Sequence, residues 1–496
     1  MAIRIITMKC FLKITFSLYS YLSIVSAFSP HDQYLINCGS GDPATTDPYR
    51  RVFNGDSESG HLVSTRASRV FNANPSSSGL YRTARAFNRP LHYVFPIKDP
   101  GTHHLVRLHF YPFNSSYYSE AQFHVLANGF LLLHNFRITE SENLPVIKEF
   151  VIPVDTEKLK ITFVPLDNSK FAVVNAIEVI SASRDLVADL AQYVDFEKNE
   201  QISGLLKNGF ETVHRVNVGG FKVTPFNDSL WRTWVPDDKY LKSSDETEKI
   251  RFGGRINYQL GGASREVGPD NVYNTARVIR SSNGTIPNTN ITWVFEVEKG
   301  YSYMIRMHFC DIASVATGML YFNVYVNDNL AYENLDLSYI TNRLLASPFY
   351  ADFVVDEENS GVLTVSVGPS NMSLPRTVDS ILNGIEILKI NNSMGSFDGE
   401  VCTEFVLRSW RRGNVGVLVP LVAVIFLLLI ASVFMQRRRN WFGDSVAWSR
   451  LPVDVSEVNL KYGNQLSSGA IEDEQAATES KEEEKHQRKK NHSNSS

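Results

Sequence analysis

Val106-Arg-Leu-His-Phe110 and Ile305-Arg-Met-His-Phe309 are one pattern written twice, and their reading decides the fold. In the first, Val106, Leu108 and Phe110 alternate with Arg107 and His109; in the second, Ile305, Met307 and Phe309 take the apolar places. Successive side chains of a strand point to opposite faces, so this alternation predicts a half-buried strand in each copy. Working outward, Leu80-Tyr-Arg-Thr-Ala-Arg85 recurs as Val272-Tyr-Asn-Thr-Ala-Arg277, and His92-Tyr-Val-Phe-Pro-Ile97 as Thr292-Trp-Val-Phe-Glu-Val297. Phe123-His-Val125 recurs as Phe322-Asn-Val324, and Val174-Asn-Ala-Ile-Glu-Val179 as Leu382-Asn-Gly-Ile-Glu-Ile387. The order is kept, and the separation drifts only from 192 residues (Leu80 to Val272) to 208 (Val174 to Leu382). One domain is written twice. After Phe123, Val125 and Ala127, Asn128-Gly129 predicts a hairpin turn at positive φ, and Asn327-Asp328 takes that place in the second copy. Short alternating strands between turn signals, without long helical periodicity, predict an all-β chain whose two halves are β-sandwiches or jelly rolls.

The ends of the chain obey a different solvent. Val415 to Met435 is free of charge and long enough, at about 1.5 Å per residue, to cross about 30 Å of hydrocarbon. Arg437, Arg438 and Arg439 follow it and place the C-terminal side in the cytoplasm. At the other end, Arg4, Lys9 and Lys13 precede the apolar run Ile14 to Val25, and Val25 and Ala27 give a small-residue cleavage pattern. The expected plan is a leader at 1–27, a first domain at 28–185, a linker at 186–209, a second domain at 210–392, an outer juxtamembrane stretch at 393–414, one transmembrane helix at 415–435, and a disordered cytoplasmic tail at 436–496. The linker reads as polar and weakly helical, with Leu186, Leu190 and Val194 available to dock it.

Net charge is −4, and no basic stripe interleaves with aromatics, which argues against a nucleic-acid partner. Aromatics make up 11%, which suits strands and sugar-facing surfaces alike. Once the leader with Cys10 is set aside, Cys38, Cys310 and Cys402 remain; they allow three alternative single bridges and show no zinc spacing. Glycosylation sequons begin at Asn114, Asn227, Asn283, Asn290, Asn371 and Asn391, all on the expected outer side. No G-x-S-x-G elbow or P-loop occurs. His103, His104 and His109 crowd together, but adjacent strand residues face opposite ways, so they read as surface histidines rather than metal ligands. No catalytic residue, metal or cofactor is expected.

At the repeated residues the chain resembles the malectin family: the L-Y-x-T-A-R segment, the V-R-L-H-F strand, the F-x-V-x-x-N-G hairpin and the closing N-A/G-I-E strand are its landmarks. Two copies in tandem, one membrane helix and Trp448-Ser-Arg-Leu-Pro452 are similar to the plant receptor-like kinases of the FERONIA, ANXUR and THESEUS group. The resemblance implies two tandem malectin-like jelly rolls on a single-pass type I plasma-membrane protein. It also implies binding of cell-wall polysaccharide or oligosaccharide, or of secreted peptides of the rapid-alkalinisation type, with a GPI-anchored co-receptor or a kinase-bearing relative as partner. The residues after Met435 contain no glycine-rich phosphate loop, V-A-I-K, H-R-D or D-F-G, so no kinase activity is expected from them. Either the protein is a natural kinase-less form, or the gene model ends early.

A sugar site needs aromatic faces for the C–H side of a pyranose and planar polar groups for its hydroxyls. Tyr111, Phe113, Tyr117 and Tyr118 fall in the loop after the first copy's V-R-L-H-F strand. The malectin resemblance carries a pocket role onto Tyr81, Tyr117 and Tyr118, the last two matched loosely because the loop length differs. The second copy keeps Tyr273 but has Asp311 to Leu320, without an aromatic, in place of that loop. A carbohydrate site is therefore expected mainly in the first copy. The plain alternative is that these tyrosines fill the edge of the core or support a glycan at Asn114.

Overall fold

The computed structural model describes residues 28–443 except 58, 63–67, 73–78, 113–119, 139–143, 243–246, 281–285, 287–288 and 376. The expected leader, the tail beyond 443, Phe113, Asn114, Tyr117, Tyr118 and Asn283 lie outside the described residues.

The described chain is mostly β, and each copy packs one sheet against another as the alternation demands. In the first copy Val146–Val154, Thr102–Phe110, Ala176–Ser181 and Gln33–Asn37 are neighbours in one sheet. A second sheet runs Leu91–Pro96, Lys158–Pro165, Phe123–Ala127, Phe130–Phe136. Val106, Leu108 and Phe110 meet Phe95, Phe123, Val125, Ile161 and Phe163 in one buried cluster. Each such large apolar side chain contributes about 1.5–3 kcal/mol when fully buried. The second copy repeats the order: Pro348–Glu357, Tyr301–Cys310, Gly384–Ile390 and Phe210–Asn217 in one sheet, and Ile291–Glu296, Val362–Pro369, Phe322–Val326, Asn329–Leu335 in the other. Its core gathers Ile305, Met307 and Phe309 with Trp293, Phe295, Phe322 and Val324. Both hairpin turns have the expected positive φ: Asn128 at 41° and Gly129 at 94°, Asn327 at 48° and Asp328 at 61°.

The two copies are not strung apart. Phe210–Asn217 pairs antiparallel with Val146–Val154, aligning Phe150 with Glu211 and Val151 with Phe210, so one 13-stranded sheet runs through both. A third apolar cluster, including Leu105, Val151, Leu186, Phe210, Met304 and Leu388, lies at this junction. The 186–209 stretch is not helical in its middle. Leu190–Val194 pairs antiparallel with Asn199–Ser203 and parallel with Pro348–Glu357. An open sheet edge offers more hydrogen bonds than a weak helix can keep in water, and tertiary pairing wins. Leu186 and Val194 are buried as expected, whereas Leu190 is exposed.

The 393–402 stretch also returns to the first copy. Leu131 and Ser396 form a parallel bridge, flanked by Leu131 N to Gly395 O at 2.9 Å and Phe397 N to Leu131 O at 3.0 Å. Phe397 is completely buried in the first copy's core. The helix Thr403–Gly443 then starts earlier and ends later than the apolar pattern indicates. Its Pro420–Arg439 span, with mean hydropathy 2.1 and exposed side chains, is long and apolar enough to cross a membrane. Among the described residues no disulfide joins Cys38, Cys310 and Cys402.

Candidate functional site

The polar half of the V-R-L-H-F alternation does not face water. Arg107 and His109 are 4% and 2% exposed, and His104 is fully buried, which corrects the expectation of surface histidines. Strand register explains why this is tolerable. Glu149 and Glu178 stand directly opposite Arg107 on its two neighbouring strands, so the guanidinium meets both carboxylates without reaching. The chain of charges continues to Arg51 on Glu178 at 2.9 Å, and from Glu149 to Arg215 at 2.7 Å and on to Glu386 at 2.6 Å. It thus crosses from one copy to the other on the face of the shared sheet opposite the apolar cores. Burial alone would raise these carboxyls, but the facing Arg107 and Arg215 hold Glu149 down at about 2, and Arg107 with His109 holds Glu178 lower still. His104 Nε2 lies 3.2 Å from Asp32 Oδ2.

On this base each copy carries a Tyr-His-Glu triad. In the first, His109 Nε2 is 2.8 Å from Glu178 Oε1 and Nδ1 is 2.9 Å from Tyr81 Oη. A carboxylate only accepts, so in the neutral imidazole Nε2–H donates to Glu178 and Nδ1 accepts from the Tyr81 hydroxyl. In the second copy Tyr273, His308 and Glu386 repeat the arrangement at 3.0 and 3.2 Å. Burial lowers the His308 imidazole and raises the phenols of Tyr81 and Tyr273.

What differs is the roof. Tyr273 is fully buried, with Tyr258 edge-on at 6.2 Å, and Trp234 packs against His308 at 5.3 Å. Cys310, at the position of Tyr111, is buried beside it. In the first copy Tyr81 sits on the turn Gly79–Tyr81, half-buried, and Tyr111 stacks on it with ring centroids 5.5 Å apart and planes 19° apart. Tyr111 is placed by its N–H, which donates to Asn175 Oδ1 at 2.8 Å. Beneath them Arg51 lies 5.3 Å from the Phe53 ring and 5.7 Å from the Trp231 ring. Trp231 comes from the second copy. Its loop is organised by buried Asp228, which accepts from Leu230 N, Arg232 N, Arg232 Nε and Trp234 Nε1.

Of the expected site residues, then, Tyr81 and Tyr111 are brought together, and Phe113, Tyr117 and Tyr118 belong to the undescribed 113–119. The sequence alone singles out none of Arg51, Glu178 and Trp231, and it reads His109 only as a surface histidine. The signal for His109 and Glu178 was present: both copies keep an Arg, a His and a Glu at matching places within their apolar strands. Among the sequons, Asn227, Asn290 and Asn371 are exposed. Asn391 is half-buried, its Oδ1 accepting from Gly209 N at 2.6 Å and its Nδ2 donating to Asn392 O at 2.8 Å. Among the described residues no three His, Cys, Asp or Glu side chains are grouped to hold a metal ion.

Comparison with known proteins gives the same architecture. Residues 36–390 match the malectin-like domain. A probable receptor-like protein kinase of Arabidopsis thaliana is 43% identical over 380 residues, covering 75% of this chain and 46% of the relative. The chain spans about half the length of the curated relatives it matches. The crystal structure of the ANXUR1 extracellular domain from Arabidopsis thaliana superposes with a TM-score of 0.66 at 30% identity, covering 74% of this chain and 99% of that one. A chain from the crystal structure of the plant peptide RALF23 in complex with FER and LLG2 gives 0.65 at 30% identity, covering 75% and 99%.

Proposed function

The chain belongs to the malectin-like domain family, in the group of FERONIA, ANXUR and THESEUS receptor-like kinases, and from that premise we propose that it is a plasma-membrane receptor-like protein whose outer part captures cell-wall carbohydrate. In this reading two malectin-like domains, 28–185 and 210–392, stand outside the cell on a helix crossing at 415–435, with glycans on the exposed Asn227, Asn290 and Asn371. The observation that carries it is the stacked Tyr81–Tyr111 pair on a rigid, charge-locked floor. Stacked aromatic rings held from below present a flat apolar face with hydroxyl edges, which is the chemistry a pyranose needs. Phe113, Tyr117 and Tyr118, which follow Tyr111 in the sequence, are proposed as further ligand contacts. The test is a glycan array probed with the full chain and its Tyr81→Ala/Tyr111→Ala and Tyr117→Ala/Tyr118→Ala variants. Loss of glycan binding in both variants supports the platform; equal binding by all three proteins removes it.

A second reading is favoured by the likeness to the chain crystallised with RALF23 and LLG2. Here the ligand is a secreted peptide of the rapid-alkalinisation type, taken together with a GPI-anchored co-receptor. Signalling in either case would pass to a kinase-bearing relative. Binding of a peptide panel that survives both tyrosine double variants would favour this reading over the first.

A further inference from the structure

The chain between Asn392 and Gly399 is tied chiefly to itself. Asn392 N donates to Ser396 O and Gly395 N to Asn392 O, both at 2.9 Å, while Asn392 Oδ1 accepts from Met394 N and Ser396 N at 3.0 Å and Asn392 Nδ2 donates to Gly399 O at 3.1 Å. Among the described residues its hydrogen bonds to the first copy are the two backbone bonds at Leu131, and His134 N to Asp398 Oδ2 at 3.2 Å. Gly399 N donates to Tyr301 Oη of the second copy at 2.7 Å. A segment that satisfies its own backbone can leave its neighbours with few polar groups stranded, which an inner sheet strand cannot.

What fastens it is one ring and one helical turn. The Phe397 ring centroid lies 5.2 Å from that of Phe150 and 6.3 Å from that of Phe130. Gly209, without a side chain, makes room for it: a Cβ there would stand 2.8 Å from Phe397 Cζ. Past the ring begins the helix Thr403–Gly443, whose Val406 and Trp410, one turn apart on one face, pack with Val401 on Leu126, Leu131 and Val164. Val125 and Ala127 point into the first copy's core, so Leu126 between them stands on the outer side of its sheet. In the second copy, strand register puts Tyr325, Leu330 and Gly368 at the places of Leu126, Leu131 and Val164, and Leu330 is 40% exposed. The apolar outer patch is thus particular to the copy that seats the helix. We propose that residues 392–410 are a latch. Closed, it fastens the base of the long helix to the first copy; open, it leaves that helix joined only to the second copy's last strand, Gly384–Ile390, while both copies stay folded. The latch thereby decides whether a displacement of the first copy reaches the helix directly, whichever ligand the two copies bind.

Hydrogen exchange on the full chain in detergent micelles, resolved at the amides of Leu131 and Phe397, tests it. Each amide donates across the seam, so one opening is expected to release both with one protection factor, at least about ten-fold below that of amides within Thr102–Phe110 and Tyr301–Cys310. Phe397→Leu, and Val406→Ala on the helix, are each expected to speed both seam amides about three- to ten-fold, and Gly209→Ala about ten-fold, with the core amides unchanged. Phe397→Leu is close in volume and decides the matter should Gly209→Ala fold poorly. Three results overturn the proposal: the seam amides are as protected as the core, Leu131 and Phe397 open at unrelated rates, or Val406→Ala leaves both amides as they were, so that strap and helix are not one unit. A strap that is merely structural gives the first of these, because it opens only when the first copy unfolds.

Discussion

The same Tyr-His-Glu triad is built twice in this molecule, once around a fully buried tyrosine and once around a half-buried one. In the second copy Tyr273 is sealed by Tyr258, Cys310 and the Trp234 side; in the first, Tyr81 keeps a partly open face and gains Tyr111 as a stacking partner. The floor is nearly invariant: Arg107 with Glu149 and Glu178 in one copy answers Arg306 with Asp352 and Glu386 in the other. A strand whose polar face is buried must pair every charge, so the floor leaves little room to vary. The roof is made of loops and can be lost or gained without breaking the sheet. One copy thus holds a filled, fully buried tyrosine and the other a half-buried pair of stacked tyrosines.

The harshest way to break the comparison is at the floor. Glu386→Ala removes the buried carboxylate shared by Arg215 and His308 and should cost about 3–5 kcal/mol in a denaturant titration, with Glu178→Ala costing about as much; a value under about 1 kcal/mol for either would mean that the charge ladder is not holding the copies together. Acid should attack the same floor. Glu149 has a usual value of 4.5 and is held at about 2 in the fold, so its depressed value contributes stability that is complete above about 4.5 and is lost as pH falls toward about 2. Thermal midpoints measured across that window should fall, and more gently in a Glu149→Gln variant.

The roof offers a test of intermediate size. Cys310→Tyr asks whether the second copy can be given the missing stacking ring; Cys310 is fully buried, so the added volume should cost about 1–3 kcal/mol and create no platform, read by thermal unfolding and by glycan binding. The mildest and sharpest comparison removes one hydroxyl from each triad. Tyr273→Phe leaves His308 Nδ1 unpaired in a dry site and should cost about 1–2 kcal/mol, whereas at half-open Tyr81→Phe water can replace the hydroxyl and the cost should stay below about 1 kcal/mol. Equal costs would show that the two roofs are not different after all.

Much of this was legible in order along the chain. The alternation in Thr102–Phe110 and Tyr301–Cys310, the turns at Asn128 and Asn327, and the pairing of each landmark with its copy all follow from periodicity and local backbone chemistry. The triads were half legible: Tyr81 and Tyr273 were singled out as tyrosines, but their histidines and glutamates were passed over. A charged residue in an alternating strand ordinarily faces water, and nothing local reveals that the facing strand supplies its counter-ion. Arg85 on Asp56 and Arg277 on Asp237 make the same point, since each aspartate comes from a loop far from its arginine. The hairpin at Leu190–Val194 and the return of Phe397 to the first copy were hidden for a related reason: both depend on an edge or a gap that exists only once other parts have folded.

By itself, then, the sequence determined that the stretch before the apolar segment is one β-rich unit repeated, that each unit has an apolar strand face, and that a long apolar segment follows. Those are properties of spacing, and spacing is local. Only the tertiary structure decided that the two units share one sheet, that a line of paired charges crosses its polar face from one unit to the other, and that one tyrosine is fully buried while its twin is half-buried. Such outcomes depend on which strands lie side by side, and a contact between residues a hundred positions apart leaves no mark on either neighbourhood alone.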